Sequence, residues 1–87
     1  EVFEHTSEWR SIVINMARNL KKDGQIILTA AGPGRPEHSA IDGGVLRPFE
    51  WYENIDPHTL AAVMTDAGIE GVVQVRADDV YAAGFKR

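Results

Sequence analysis

The sequence has no cysteine, and that one absence removes disulfide frameworks, thiolate metal sites and cysteine nucleophiles together. It also lacks any apolar run near the ~20 residues of a membrane span, and nothing at its start has the layout of a signal peptide. With no marker for export or for a membrane, a cytoplasmic protein is expected. Bases are in the minority, nine against thirteen acids for a net charge of −4. That balance speaks against a nucleic-acid phosphate footprint. There is no internal repeat and no low-complexity tract, and eighty-seven residues allow one small domain at most.

What is present begins with an abrupt start. Glu1-Val2-Phe3-Glu4-His5 is too short for a settled strand and runs straight into helix signals, as if the sequence entered a fold midway. Thr6 and Ser7 are good N-cap types and Glu8 is the acid favoured in a first turn. Trp9, Ile12, Val13, Met16, Ala17 and Leu20 then recur at helical spacing and predict one apolar stripe. Arg18, Lys21 and Lys22 gather where cations suit the negative end of a helix.

Asp23-Gly24 turns the chain into Gln25–Ala31, an almost unbroken apolar run. Such a strand is expected to be buried on both faces, in an interior slot of a parallel sheet covered by helices. Residues 32–55 carry several Gly and Pro with no sustained period, longer than connections in compact domains usually run. Asp56-Pro57 supplies an N-cap acid and a first-position proline for a second helix. Its stripe is Leu60, Val63, Met64 and Ala67, and Gly68 is its left-handed stop. Residues 69–77 alternate as a half-buried strand, with Val73 and Val75 on one face and Gln74 and Arg76 on the other. Asp78-Asp79 is a tight turn into a last strand over 80–86, so these two strands form an antiparallel hairpin. The order is strand end, helix, strand, long loop, helix, hairpin. A right-handed crossover is expected to set the first two strands parallel, with the hairpin at the sheet edge.

In open α/β sheets ligands bind beyond the carboxyl ends of strands, so the long loop is where a site is expected. It holds Arg35, His38, Ser39, Asp42, Glu50, Trp51 and Tyr52, dense in polar and aromatic groups for a connection. An aromatic pair flanked by acids suits an apolar or cationic ligand, and equally a surface loop pinned down by Trp51 and Tyr52. The histidines at 5, 38 and 58 have no metal-ligand spacing, so the sequence assigns no metal. Gly32-Pro33-Gly34 lacks a third glycine and leads into the loop instead of a helix, so it is no phosphate cradle.

The chain resembles the C-terminal half of a class I S-adenosylmethionine-dependent methyltransferase domain, which is Rossmann-like. Glu1-Val2-Phe3-Glu4-His5-Thr6 is similar to the end of that family's fourth strand and the turn after it. The segment from Leu20 through Asp23-Gly24 to Thr29 is similar to its entry into the fifth strand, and residues 56–69, ending Asp66-Ala67-Gly68-Ile69, to the helix before its terminal hairpin. The resemblance implies a partial α/β domain over residues 1–87, with S-adenosylmethionine as cofactor only where the family's N-terminal half is present, and a small molecule or peptide as methyl acceptor. It sets Glu1, Val2, Phe3 and Glu4 beside the methionine part of the cofactor, His5 as base or orienting group, and Arg35, His38, Asp42, Glu50, Trp51 and Tyr52 around the acceptor. The family's glycine-rich turn and its ribose-binding acid have no counterpart in these residues, so this fragment alone is not expected to turn over. The alternative is a non-catalytic truncated domain whose exposed sheet edge pairs with a partner or with a second copy.

Overall fold

The computed structural model describes residues 2–87, so Glu1 and the role expected of it lie outside the described residues. Phe3–His5 form a 3-10 turn, followed by α1 (Trp9–Asn19), β1 (Gln25–Ala31), α2 (Pro57–Asp66), β2 (Ile69–Arg76) and β3 (Asp79–Lys86). No helix among these is long and apolar enough to cross a membrane. The fold is a small α/β domain of two helices and a three-stranded antiparallel sheet.

The strand end expected at the start is a single 3-10 turn. The His5 amide bonds to the Val2 carbonyl and the Thr6 amide to that of Phe3, which curls this short piece instead of extending it. Thr6 Oγ1 accepts from the Glu8 amide at 3.1 Å, so the capping hydroxyl acts ahead of a helix that begins only at Trp9. Trp9, Val13 and Ala17 are buried from the predicted stripe, whereas Ile12 and Leu20 are partly buried and Met16 is exposed. The cation that reaches the end of α1 comes from β3: Lys86 Nζ donates to the Ala17 carbonyl at 2.6 Å. In the turn that follows, Asp23 takes the left-handed backbone (φ 68), not Gly24.

The second helix follows its sequence closely. Asp56 caps it, with Oδ2 accepting from the Thr59 amide at 2.9 Å and hydroxyl at 3.1 Å, Pro57 opens it, and Gly68 stops it at φ 83. Leu60 and Met64 are buried from its stripe, and each side chain of this kind contributes about 1.5–3 kcal/mol when fully removed from water.

The sheet departs from expectation in its order, β1-β3-β2. The parallel pair expected of residues 1–5 and Gln25–Ala31 does not form among the described residues, because Phe3–His5 is a 3-10 turn; β1 pairs only with β3, antiparallel, and β3 lies between β1 and β2. The hairpin supplies the middle of the sheet as well as an edge. Arg76 pairs with Asp79, so its turn is Ala77-Asp78 (Ala77 φ 52), one residue earlier than Asp78-Asp79. Register lines up Leu28, Ala82 and Val73 in one row and Ala30, Val80 and Val75 in the next, facing the helices. Trp9, Val13, Ala17, Leu60 and Met64 close over this face in one continuous core. Val73 packs against the core, whereas Val75 lies exposed.

The other face carries Ile27, Ala83 and Val72 in one row and Thr29, Tyr81 and Gln74 in the next. No helix covers it, and Ile27 is 75 % and Val72 62 % exposed. The expectation of a doubly buried interior strand therefore fails for β1, which alternates between buried and exposed positions before Ala31 and pairs on one side only. The apolar run in the sequence does not reveal whether two layers or one will cover it.

Two outcomes test this packing. Gly71 faces Gly84 across β2 and β3, and a Cβ at Gly71 would sit 2.1 Å from the Ala83 carbonyl oxygen, a backbone atom that cannot swing away. Gly71→Ala is expected to destabilise the fold by roughly 1–3 kcal/mol, read as a lowered midpoint in thermal or urea unfolding; an unchanged midpoint contradicts the register. The Thr59 amide, and next its hydroxyl, hold the Asp56 carboxyl below the ordinary aspartate range. Its contribution is complete above the unfolded pKa and lost as pH falls through the folded one. Asp56→Asn keeps the cap but removes that acid-side slope from urea midpoints, and Asp56→Ala lowers the midpoint at neutral pH as well.

Candidate functional site

The turn Phe3–His5 is held by its first residue. Phe3 is buried in the core and stacks on Trp9 with ring centroids 6.3 Å apart. With Phe3 directed into the core, the turn carries Glu4 and His5 toward the long loop that leaves β1. That loop is tied back at its end: the Glu53 amide bonds to the Glu4 carbonyl at 3.0 Å and the Ile55 amide to the Ala31 carbonyl at 2.8 Å. The start of the chain and the two ends of the loop therefore meet beside the carboxyl end of β1.

At that junction the Glu4 side chain is fully buried, and neither carboxylate oxygen has a hydrogen-bond partner among the described residues. His5 Nε2 stands 3.8 Å and His38 Nε2 3.9 Å from Glu4 Oε2. Both separations exceed a hydrogen bond. The imidazoles lie edge to face with centroids 4.8 Å apart, and the Tyr52 ring closes on both, at 5.4 Å from His5 and 5.1 Å from His38. The Tyr52 hydroxyl lies 2.7 Å from Asn54 Oδ1, to which it donates, and the Asn54 amide nitrogen donates to the Arg35 carbonyl at 3.0 Å.

One proton in this cluster is fixed by geometry. His38 Nδ1 lies 3.1 Å from the Pro36 carbonyl oxygen, which can only accept, so Nδ1 carries hydrogen. In the neutral ring Nε2 is then a bare lone pair, directed toward the Glu4 carboxylate. His38 Nε2 thus stands opposite Glu4 Oε2 at a separation longer than a hydrogen bond. His5 Nδ1 is also buried without a partner.

The rest of the loop is organised by Ser39, a residue of the loop's polar set that was not among the expected acceptor-site residues. Ser39 is buried, and its Oγ donates to Glu50 Oε1 at 2.7 Å while accepting from Arg47 Nη1 at 2.6 Å and the Ile41 amide at 3.0 Å. Arg47 also pairs with Asp42 at 2.9 Å, and that guanidinium, with the Gly44 amide, holds the Asp42 carboxyl below its usual range.

Of the six loop residues predicted around an acceptor, the fold brings His38 and Tyr52 to the Glu4–His5 pair. Asp42 and Glu50 brace the loop, Arg35 pairs with Asp79 at the start of β3, and Trp51 lies at the surface. Val2 is exposed and, with Phe3, lines an apolar cleft between α1 and the open side of β1, alongside Ile12, Met16 and Ile27. No spacing rule joins positions 5 and 38. The adjacency of Glu4 and His5 was the local signal the sequence offered.

Compared with protein-family models, with curated proteins and with solved structures, the chain finds no match.

Proposed function

We propose that this chain is the acceptor-side part of an S-adenosylmethionine-dependent methyltransferase. One observation carries the reading. Two stretches assigned to cofactor and acceptor separately, residues 1–5 and the loop after the strand, converge on one cluster of Glu4, His5, His38 and Tyr52. The cluster lies beyond the carboxyl end of a strand, where α/β sheets hold ligands. The order of helix, strand, loop, helix and hairpin is in keeping with the same resemblance.

The described residues offer no seat for the nucleoside end of such a cofactor. Gly32-Pro33-Gly34 is folded against the hairpin, its Gly32 amide bonded to the Asp78 carbonyl at 2.7 Å, and no helix follows it. S-adenosylmethionine would supply an electrophilic methyl group, and this chain's residues act on the acceptor. The Tyr52 ring and the His38 edge pack beside His5, where they can orient an acceptor, and orientation provides most of the rate in such a displacement. His5 receives the proton that a hydroxyl or amine acceptor loses, and the Glu4 carboxylate next to Nε2 stabilises the imidazolium formed.

A second reading is favoured by a separate observation, the one-sided β1 and the uncovered face around Ile27 and Val72. A strand paired on one side only is a template for another chain. Under this reading the domain is non-catalytic and pairs through that edge with a partner or a second copy.

Amide chemical-shift mapping of the labelled chain with S-adenosylmethionine at millimolar concentration tests the first reading. Perturbations are expected at Val2, Phe3, Glu4, His5 and His38, and shifts confined to residues away from this cluster overturn it. Sedimentation velocity tests the second, which expects association that Ile27→Lys weakens; a monomer at high concentration counts against it.

A further inference from the structure

We propose that Glu4, His5 and His38 form a binding site for a divalent transition-metal ion. The assignment stands on these three side chains and does not depend on the methyl-transfer reading.

The first argument is the state of Glu4. Its side chain has no exposure to solvent, yet neither oxygen accepts a hydrogen bond. Buried carboxylates are otherwise found paired, hydrogen-bonded or on a metal. Among the described residues, the ion-pairing groups within 4 Å of it are the two imidazoles, at 3.8 Å and 3.9 Å. These distances are too long for hydrogen bonds but suit ligands of a shared ion. Two donors each ~2.0–2.2 Å from a zinc-like ion stand about 3–4 Å apart, depending on the angle between them. All three ligand atoms lie within 4.8 Å of one another, so modest side-chain rotation closes the set around one centre.

The second argument is the tautomer. The Pro36 carbonyl takes the Nδ1 hydrogen of His38, which directs the Nε2 lone pair inward. A metal-bound histidine ordinarily donates its other ring N–H to a carbonyl or carboxylate, which fixes the ring and raises its basicity. Here that outer partner is already in place. Tyr52, anchored through Asn54, packs its ring against both imidazoles and restricts their rotation.

The third argument is the ligand chemistry. Two imidazoles and one carboxylate favour zinc, iron, cobalt or manganese over magnesium and calcium, which prefer all-oxygen sets. Three protein ligands leave coordination positions open, the arrangement of a catalytic rather than a structural centre. The side chains of His5 and His38 keep 13 % and 20 % exposure, so the open side faces solvent. One carboxylate leaves a divalent ion with residual positive charge, to which a ligand with an anionic or ionisable oxygen would bind. With the ion present the imidazoles are ligands, and polarising an acceptor oxygen falls to the metal.

The test is titration of the chelator-stripped 87-residue chain with Co²⁺, followed by visible absorption, and with Zn²⁺ by calorimetry, with Mg²⁺ for comparison. The expected result is one ion per chain, cobalt bands typical of mixed nitrogen and oxygen ligands, and much weaker Mg²⁺ binding. His38→Ala and Glu4→Gln should each weaken Co²⁺ binding at least tenfold, while His58→Ala, an exposed position on α2, leaves it unchanged. Should Glu4→Gln fail to fold, His38→Ala decides alone, since it removes a loop side chain outside the core; circular dichroism checks its fold. No binding at millimolar Co²⁺ and Zn²⁺, or wild-type affinity in His38→Ala, overturns the proposal. So does an equal loss in His58→Ala, which would mean nonspecific histidine binding.

Discussion

A carboxylate withdrawn from water with no hydrogen-bond donor of its own is the constraint around which the functional end of this molecule is arranged. Glu4 reaches that position because Phe3 is anchored in the core against Trp9 and the following backbone curls into one tight turn. The same turn offers its carbonyl to the Glu53 amide, which returns the long loop to the start of the chain. The two imidazoles and Tyr52 then close over the carboxylate from different stretches of sequence. A buried carboxyl group without a hydrogen bond is unfavourable, so the surrounding structure must hold it there. The core under Phe3 and the anchored loop do so.

Ordering a loop of this length has a large entropic cost, of order 1–2 kcal/mol for each backbone residue fixed. The offset comes from three connected sources. Ser39 gathers Arg47, Glu50 and the Ile41 amide around one buried hydroxyl. Backbone bonds from Gly32 to Asp78 and from Ile55 to Ala31 clamp both ends of the loop to the sheet. Arg35 reaches Asp79 at the hairpin, so the loop and the central strand hold each other. The residues that brace the loop are mostly polar, and they leave Ile41, Val45 and Phe49 at its rim facing solvent.

Local pattern carried the elements well and their assembly poorly. Asp56-Pro57 and Gly68 delimit α2 as their backbone preferences require, and the apolar spacing of Trp9, Val13 and Ala17 fixes the buried side of α1. Strand order was not legible. A two-residue connection says that β2 and β3 are neighbours, but nothing in either strand says which of them lies against β1. The apolar run of β1 was equally silent on how many layers would cover it, and Ile27 ends exposed with the same side chain that buries Ile26. The site was half legible. Glu4, His5, His38 and Tyr52 were each candidates, but their meeting depends on the path of the loop. Asp42 and Glu50 read as ligand-facing acids and in the fold pair with Arg47 and Ser39, contacts the sequence does not show because a charged residue in a loop has the same signature in either role.

Among the described residues, unsatisfied features of different kinds stand out. One is geometric, a sheet with a single covered face and an edge strand rich in apolar groups. Another is chemical, His38 Nε2 opposite Glu4 Oε2 at a separation longer than a hydrogen bond. The chemical one is the more specific, because it fixes a proton position. Long-range ¹H–¹⁵N correlation of the imidazole nitrogens in the metal-free chain reads that position directly. The account predicts that neutral His38 carries its hydrogen on Nδ1, with ring-to-ring contacts to His5 and Tyr52; hydrogen on Nε2, or a His38 ring remote from both, would contradict it.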